Sequence, residues 1–357
     1  MARARGAFLR FLRASALGAA AFGLVCAGAF AQQDAGAPAP PSQNYIPYTP
    51  PSPPPPPGLQ QSQQGQQGGG YTLKKDVDLV VVHATVEDAK GKFVQDLTQQ
   101  DFKVFEDKQP QTISVFSRED LPVSIGLVID NSGSMREKRA QVNAAALTFV
   151  KTSNPQDETF VVNFNDEFYL DLDKDFTNNP KELQEALERI DSRGGTALYD
   201  AVVGSLDHLK KGHKDKKVLL VITDGDDDFS RKSFEYTVKA AQQSNALIYA
   251  VGVFSSYDQQ HDRSMVRHSK KILTTLAEAT GGAAYFPASL DDVEPTCTKI
   301  AHDIREQYTL GYYPTNTAKD GTFRTVKVDV DPRGHGKVTV RTRTGYFAKE
   351  GVTSSGK

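Results

Sequence analysis

Five apolar runs constrain this chain most: "VSIGLVI" (123–129), "TFVVNF" (159–164), "KVLLVIT" (217–223), "ALIYAVGV" (246–253) and the shorter "AAYF" (283–286). A strand that is apolar at nearly every position must be covered on both faces, which is the situation in a mainly parallel sheet. Helical spacing fills the intervals. Val142, Ala145, Ala146, Phe149 and Val150 form one such set; Leu183, Ala186, Leu187 and Ile190 a second; Leu198, Ala201, Val202, Ser205 and Leu209 a third. "FYLDLD" (168–173) alternates instead and predicts an antiparallel edge strand. Strands alternating with helices predict a doubly wound α/β domain over residues 121–304. Ligands of such sheets bind beyond the carboxyl ends of strands, where the strand order reverses.

The flanks have a different texture. "DVDLVVVHATVED", "DFKVFED" and "TISVFSRED" on one side, and "QYTLGYYP", "FRTVKVDVD" and "KVTVRTRTGYF" on the other, predict short strands. "PRGHG" (332–336) between the last two predicts a hairpin turn. Neither flank has strands enough to close a sandwich alone. The expectation is one discontinuous β-sandwich, 76–120 plus 305–348, with the α/β domain inserted and a short tail at 349–357. Tyr308, Tyr312 and Tyr313 are assigned to its core.

The first 31 residues stand apart. A basic "MARARGAFLRFLR" precedes the small, apolar "ASALGAAAFGLVCAGAF", and Ala29-Phe30-Ala31 fits a signal-peptidase site. The expectation is a cleaved signal peptide, no membrane span afterwards, and a protein exported to the periplasm or secreted to the cell surface. Residues 32–75, rich in Pro, Gln and Gly, bury too little apolar surface to fold and are expected to be a disordered linker. Cys297 is then the sole remaining cysteine, so no internal disulfide is possible. It shares a helical face with Leu290, Val293, Ile300, Ala301 and Ile304, which predicts a core thiol. A net charge of -2 argues against a nucleic-acid partner.

Polar residues follow the buried runs at telling places. Asp130-Asn131-Ser132-Gly133-Ser134 comes after the first, Asp224-Gly225 after the third, and "SRGGTALYD" sets Thr196 just before a predicted helix. Two carboxylates and three hydroxyls, with no thiol or imidazole among them, suit a hard divalent cation rather than zinc. "DNSGS", "GGT" and "TDG", in this order and on these elements, resemble the metal-ion-dependent adhesion site of a von Willebrand factor A domain; the resemblance covers about half the chain. Its flanking segments also resemble a group of exported bacterial A-domain proteins. The resemblance implies that Ser132 and Ser134 ligate the metal directly. It implies that Asp130 and Asp224 supply negative charge, directly or through water, and that Thr196 changes coordination as a ligand arrives. The expected cation is Mg²⁺, with Ca²⁺ or Mn²⁺ also suited. The expected ligand is an Asp or Glu carboxylate of a partner protein, completing an octahedral shell.

Competing readings exist for the same residues. Ser132, Ser134 and Thr196 are also good helix caps, and the domain could serve as a metal-independent scaffold of an envelope complex. An aspartyl-phosphate enzyme would need a second Asp where Ser132 stands. No H-E-x-x-H, G-x-S-x-G, P-loop or G-x-G-x-x-G occurs, so no enzymatic activity is expected. "DLDKDFTNNPKE" (Asp171, Asp173, Asp175, Glu182) has calcium-loop spacing, but Phe176 replaces the needed Gly; it reads as a solvated turn. "DDD" (226–228) and "KKGHKDKK" (210–217) read as solvated loops.

Overall fold

The computed structural model describes residues 78–350, apart from Ile190 and Asp226. The expected signal peptide, the whole of the linker, residues 76 and 77 of the first β flank, and residues 351–357 of the tail lie outside these residues. In chain order the first flank gives β1 (Val80–Asp88), β2 (Phe102–Glu106), β3 (Gln109–Gln111) and β4 (Ile113–Ser117). The middle gives β5 (Val123–Asp130), α1 (Arg139–Thr152), β6 (Glu158–Phe164), β7 (Phe168–Leu170), α2 (Pro180–Glu188), α3 (Leu198–Leu209) and β8 (Lys216–Thr223). It continues with α4 (Phe234–Gln243), β9 (Ala246–Gly252), α5 (Ser256–His261), α6 (Arg263–Thr280), β10 (Ala284–Tyr285) and α7 (Val293–Arg305). The last flank gives β11 (Tyr308–Tyr312), β12 (Phe323–Val330), β13 (Val338–Arg341) and β14 (Gly345–Phe347).

The middle strands form one six-stranded sheet in the order β10-β9-β8-β5-β6-β7. All neighbours are parallel except the edge strand β7, which runs antiparallel to β6. Every residue of β5 is buried, because helices cover both faces. Ile125, Leu127 and Ile129 pack with Phe149 of α1, Leu183 of α2 and Cys297 and Ile300 of α7. Val128 and Phe160 face Leu198 and Val202 of α3 and Leu273 of α6. Gly126 of β5 is needed by this second layer: a Cβ there would overlap Leu219 and Phe160. Cys297 is fully buried, and burial pushes its thiol up to about 12, so it serves as core.

Both flanks supply strands to each of two antiparallel four-stranded sheets, β13-β1-β11-β4 and β14-β12-β2-β3. β11 lies between β1 and β4, with Val82 opposite Leu310; β12 lies beside β2, with Val328 opposite Val104. Their inner faces share one core of Val82, Ala84, Phe102, Val104, Tyr308, Leu310 and Tyr312. Two expectations fail here. "PRGHG" turns, with His335 N–H bonded to Pro332 O at 3.2 Å, but makes no hairpin. β12 pairs with β2 and β14 while β13 pairs with β1, so the segment crosses from one sheet to the other. Tyr313 is 54% exposed, because side chains alternate and Tyr312 takes the inward position.

The chain enters the α/β unit at the amino end of β5 and leaves it from α7. There Arg305 bonds Asp120 and Leu121 O and pairs with Asp157, which lies just before β6. The β-sandwich is thus joined at the edge opposite the carboxyl ends of the parallel strands. No helix among the described residues is long and apolar enough to cross a membrane.

Candidate metal centre

β5 and β8 are adjacent, and the strand order reverses between them: β6 follows on the far side of β5, β9 on the far side of β8. Loops leaving such a pair diverge and open a crevice. Asp130 ends β5 and Asp224 directly follows β8; they are 1% and 4% exposed. Asp130 Oδ1 accepts the Ser132 backbone N–H at 2.8 Å, and Oδ2 accepts the Thr223 hydroxyl at 2.6 Å. Burial first, and the charge of Asp224 second, push the Asp130 carboxyl up to about 7.

The hydroxyls of Ser132 and Ser134 lie 3.0 Å apart. Ser132 is buried and Ser134 exposed. Neither hydroxyl caps a helix. Ser132 opens a 3₁₀ turn (Gly133–Met135) without a side-chain cap bond, and α1 starts after Lys138. α3 is preceded by Ala197 rather than Thr196, again without such a bond. Helix capping therefore does not explain these three residues.

The segment that carries Thr196 is stitched by backbone bonds to the loops after β5 and β8. Gly133 N–H donates to Gly194 O at 3.0 Å, and Arg193 N–H donates to Asn131 O at 2.9 Å. Asp228 and Phe229 N–H both donate to Thr196 O at 3.1 Å, while Asp228 Oδ1 accepts the Thr196 N–H at 2.7 Å. Gly194 has φ +73°, and a Cβ there would overlap the Asp166 carboxylate, which accepts the Gly195 N–H. A Cβ at Gly195 would overlap the Phe229 ring. Two glycines before Thr196 let the three loops approach this closely.

Among the described residues no cluster of three His, Cys, Asp or Glu side chains suited to a metal occurs. A cation here would rest on two carboxylates and hydroxyl oxygens, a donor set for a hard ion. Asp224 Oδ1 fits that role: it is buried and has no hydrogen-bond partner among the described residues. A buried polar atom without a partner carries its full desolvation cost, and a cation would relieve it.

Lys138 is the residue the motif does not contain. Lys138 is 4% exposed, and its ammonium donates to Asp224 Oδ2 at 3.2 Å, Val253 O at 3.0 Å and Asp258 Oδ2 at 3.4 Å. Within "MREKRA" a lysine reads as a solvated helix charge, so no sequence signal marks it. Asp258 belongs to the capping box at the start of α5, with Ser255. Burial opposes its ionisation, but the Ser255 hydrogen bonds and the Lys138 charge outweigh that and keep it below the usual carboxylate range.

The neighbouring charge runs are less solvated than their composition suggests. Asp227 accepts the Tyr199 N–H and the Ser230 hydroxyl, and Asp228 holds Thr196, so these two pin loops; Asp226 lies outside the described residues. Asp171 is buried and bonds Asn163 at 2.6 Å. Asp173 turns instead to Arg189, Asp175 to Lys211, and Glu182 to Lys174. These four form no calcium loop, and the inward Asp171 departs from a solvated turn. Lys216 of the basic run is buried as the first residue of β8, its ammonium on Ile304 O.

Residues 125–226 match a family model described as the von Willebrand factor type A domain. An uncharacterized protein of Synechocystis sp. is 27% identical over 110 residues, 30% of this chain and 26% of that protein. The chain thus aligns with about a quarter of that curated relative's length. Among solved structures, the chain is similar to the conserved hypothetical protein BatB from Bacteroides thetaiotaomicron, at TM-score 0.41 and 15% identity, covering 51% of this chain and 98% of that one. It is similar to the vWF domain of the type V pili tip protein Mfa5 from Porphyromonas gingivalis, at 0.43 and 12%, covering 52% and 95%. A von Willebrand factor type A protein from Catenulispora acidiphila matches at 0.44 and 12%, covering 78% and 74%.

Proposed function

Because residues 125–226 carry a von Willebrand factor type A domain, we propose that the chain is an exported, divalent-cation-dependent protein-binding module rather than an enzyme. The observation that carries this reading is the pair of buried carboxylates at the switch point. Asp130 and Asp224 face each other's charge, and Asp224 keeps an oxygen that no donor reaches among the described residues. Asp130, Ser132, Ser134, Thr196 and Asp224 would hold the cation, Mg²⁺ first and Ca²⁺ or Mn²⁺ next. When bound, the ion would offer an open position to an Asp or Glu carboxylate of a partner protein. The chain's own part is to fix those oxygens on three interlocked loops and to keep bulk water from Asp130 and Asp224. Export rests on the basic and apolar pattern of residues 1–31.

One observation favours the metal-independent scaffold as a second reading: Lys138 already sets a cation on Asp224. Calorimetric titration of Mg²⁺ and Ca²⁺ into the wild type and Asp130→Ala separates the two. Heat in the wild type alone supports the binding module; heat in neither supports the scaffold. A pull-down from envelope extract, with and without chelator, then identifies proteins retained only with metal.

A further inference from the structure

Lys138 brings a positive charge to a place that the proposed function reserves for a metal ion. Its position is not incidental to that site. The backbone N–H of Lys138 donates to Met135 O at 3.0 Å, so the turn that carries Ser134 also delivers the lysine. Its ammonium is shared between Asp224 of the site and Asp258 of α5, with Val253 O as third acceptor. Burying an ammonium costs free energy unless it is paired, and here two carboxylates pair it.

Resting on the metal-site reading, we infer that Lys138 is a positioning and charge-setting residue, an internal counter-ion that weakens cation binding while keeping a bound cation electrophilic toward a carboxylate. Two consequences of the geometry support it. First, the ammonium occupies Asp224 Oδ2 and leaves Oδ1 as the oxygen without a partner, so one carboxylate is divided between a fixed and an exchangeable cation. Second, the charges add simply. Asp130, Asp224 and Asp258 against Lys138 leave an excess of two negative charges, and Asp258 lies on the lysine's far branch. The ion's immediate surroundings, Asp130, Asp224 and Lys138, therefore sum to a single negative charge, and a divalent ion bound there keeps a net positive one. Without the lysine that sum would be zero. A competing positive charge lowers cation affinity, and a net positive centre raises affinity for an anion. Asp258 sets the balance: by sharing the ammonium it draws part of the charge away from Asp224.

The test uses the full chain, with Mg²⁺ as the probe for the ion and acetate as the probe for the carboxylate. Calorimetry compares the wild type, Lys138→Met and Asp258→Asn; acetate is titrated into the Mn²⁺-loaded proteins and followed by loss of water-proton relaxation enhancement. Lys138→Met is expected to bind Mg²⁺ about tenfold more tightly and acetate several-fold more weakly. Asp258→Asn, which lets the ammonium lean wholly on Asp224, is expected to weaken Mg²⁺ binding about threefold. Opposite signs for the two variants support the inference; Mg²⁺ heat that appears only in Lys138→Met overturns the metal-dependent reading of the wild type and the inference with it. If Lys138→Met does not fold, the sign of the Asp258→Asn change decides alone. Mg²⁺ heat in the wild type with unchanged constants in the variants overturns the role of Lys138 and leaves the site standing. No heat in any of the three overturns both.

Discussion

Two of the places where the molecule buries acidic side chains treat them in opposite ways. In the β-sandwich, Glu106 and Arg324 are 2% and 3% exposed. Glu106 Oε2 accepts the hydroxyls of Tyr312 and Tyr346, each at 2.8 Å, and Oε1 accepts Arg324 Nη1 at 3.3 Å. Both carboxylate oxygens are satisfied, and opposite charges meet. At the carboxyl ends of β5 and β8, two carboxylates meet instead, and one oxygen of Asp224 has no partner among the described residues. A satisfied buried charge belongs to the fold; an unsatisfied one beside a like charge is a strain that the fold alone does not require. The difference sets a structural pair apart from the proposed binding centre without reference to any motif.

The largest expected effect tests the structural half. Arg324→Met leaves Glu106 buried without its cation and should destabilise the protein by about 3–5 kcal/mol in urea unfolding, while Mg²⁺ binding is unchanged. A loss below about 1 kcal/mol would mean that the pair is not the anchor its geometry indicates.

Next in size is the buried Lys216, at the amino end of β8. Burial first, and Arg305 second, lower its ammonium to about 7, against the attraction of Asp303, Asp120 and Asp157. Below about 7 both folded and unfolded chains hold the proton, and the full penalty applies. Between about 7 and the ordinary 10.5 only the unfolded chain holds it, so folded stability rises with pH. Relative to Lys216→Met, the wild type should gain about 2 kcal/mol between about pH 7 and about pH 9. Parallel stability curves for the two proteins would show that Lys216 keeps its proton when folded.

At the proposed binding centre the sign reverses. Asp130→Asn removes one of two opposed buried charges, so in chelator it should stabilise the protein by about 1 kcal/mol while abolishing Mg²⁺ heat. A destabilised variant would place Asp130 with Glu106, as a structural carboxylate.

How far all this could be read from the sequence depends on the length of the pattern. The middle sheet was legible because several consecutive apolar residues leave no side for water, and Val142 to Phe149 or Leu198 to Leu209 repeat long enough to fix a helix face. Asp130, Ser132, Ser134 and Asp224 were legible as residue types following strands, and Thr196 as one preceding a helix. What was not legible depends on tertiary partners. Lys138 lies among charged neighbours in "MREKRA", and only the approach of Val253 and Asp258 buries it. Asp228 reads as one of three aspartates until the Thr196 loop meets it. "PRGHG" has the composition of a hairpin turn, but the pairing of β13 with β1 is decided by residues more than 200 positions away.

The smallest effect concerns two adjacent tyrosines. Both belong to the segment "YTLGYYP" and have the same propensity for strand, yet one residue of register puts Tyr312 in the core at 0% exposure and Tyr313 outside at 54%. The Tyr312 hydroxyl donates to Glu106, and burial with that hydrogen bond raises it far above the ordinary tyrosine range. Tyr312→Phe removes one of the three donors that satisfy Glu106 and should cost about 1 kcal/mol. Tyr313→Phe should stay within about 0.5 kcal/mol. Comparison of the two urea midpoints at one pH reads the register directly. Equal losses would mean that the sandwich buries both rings, and that the alternation placing Glu106 beneath Tyr312 is wrong by one residue.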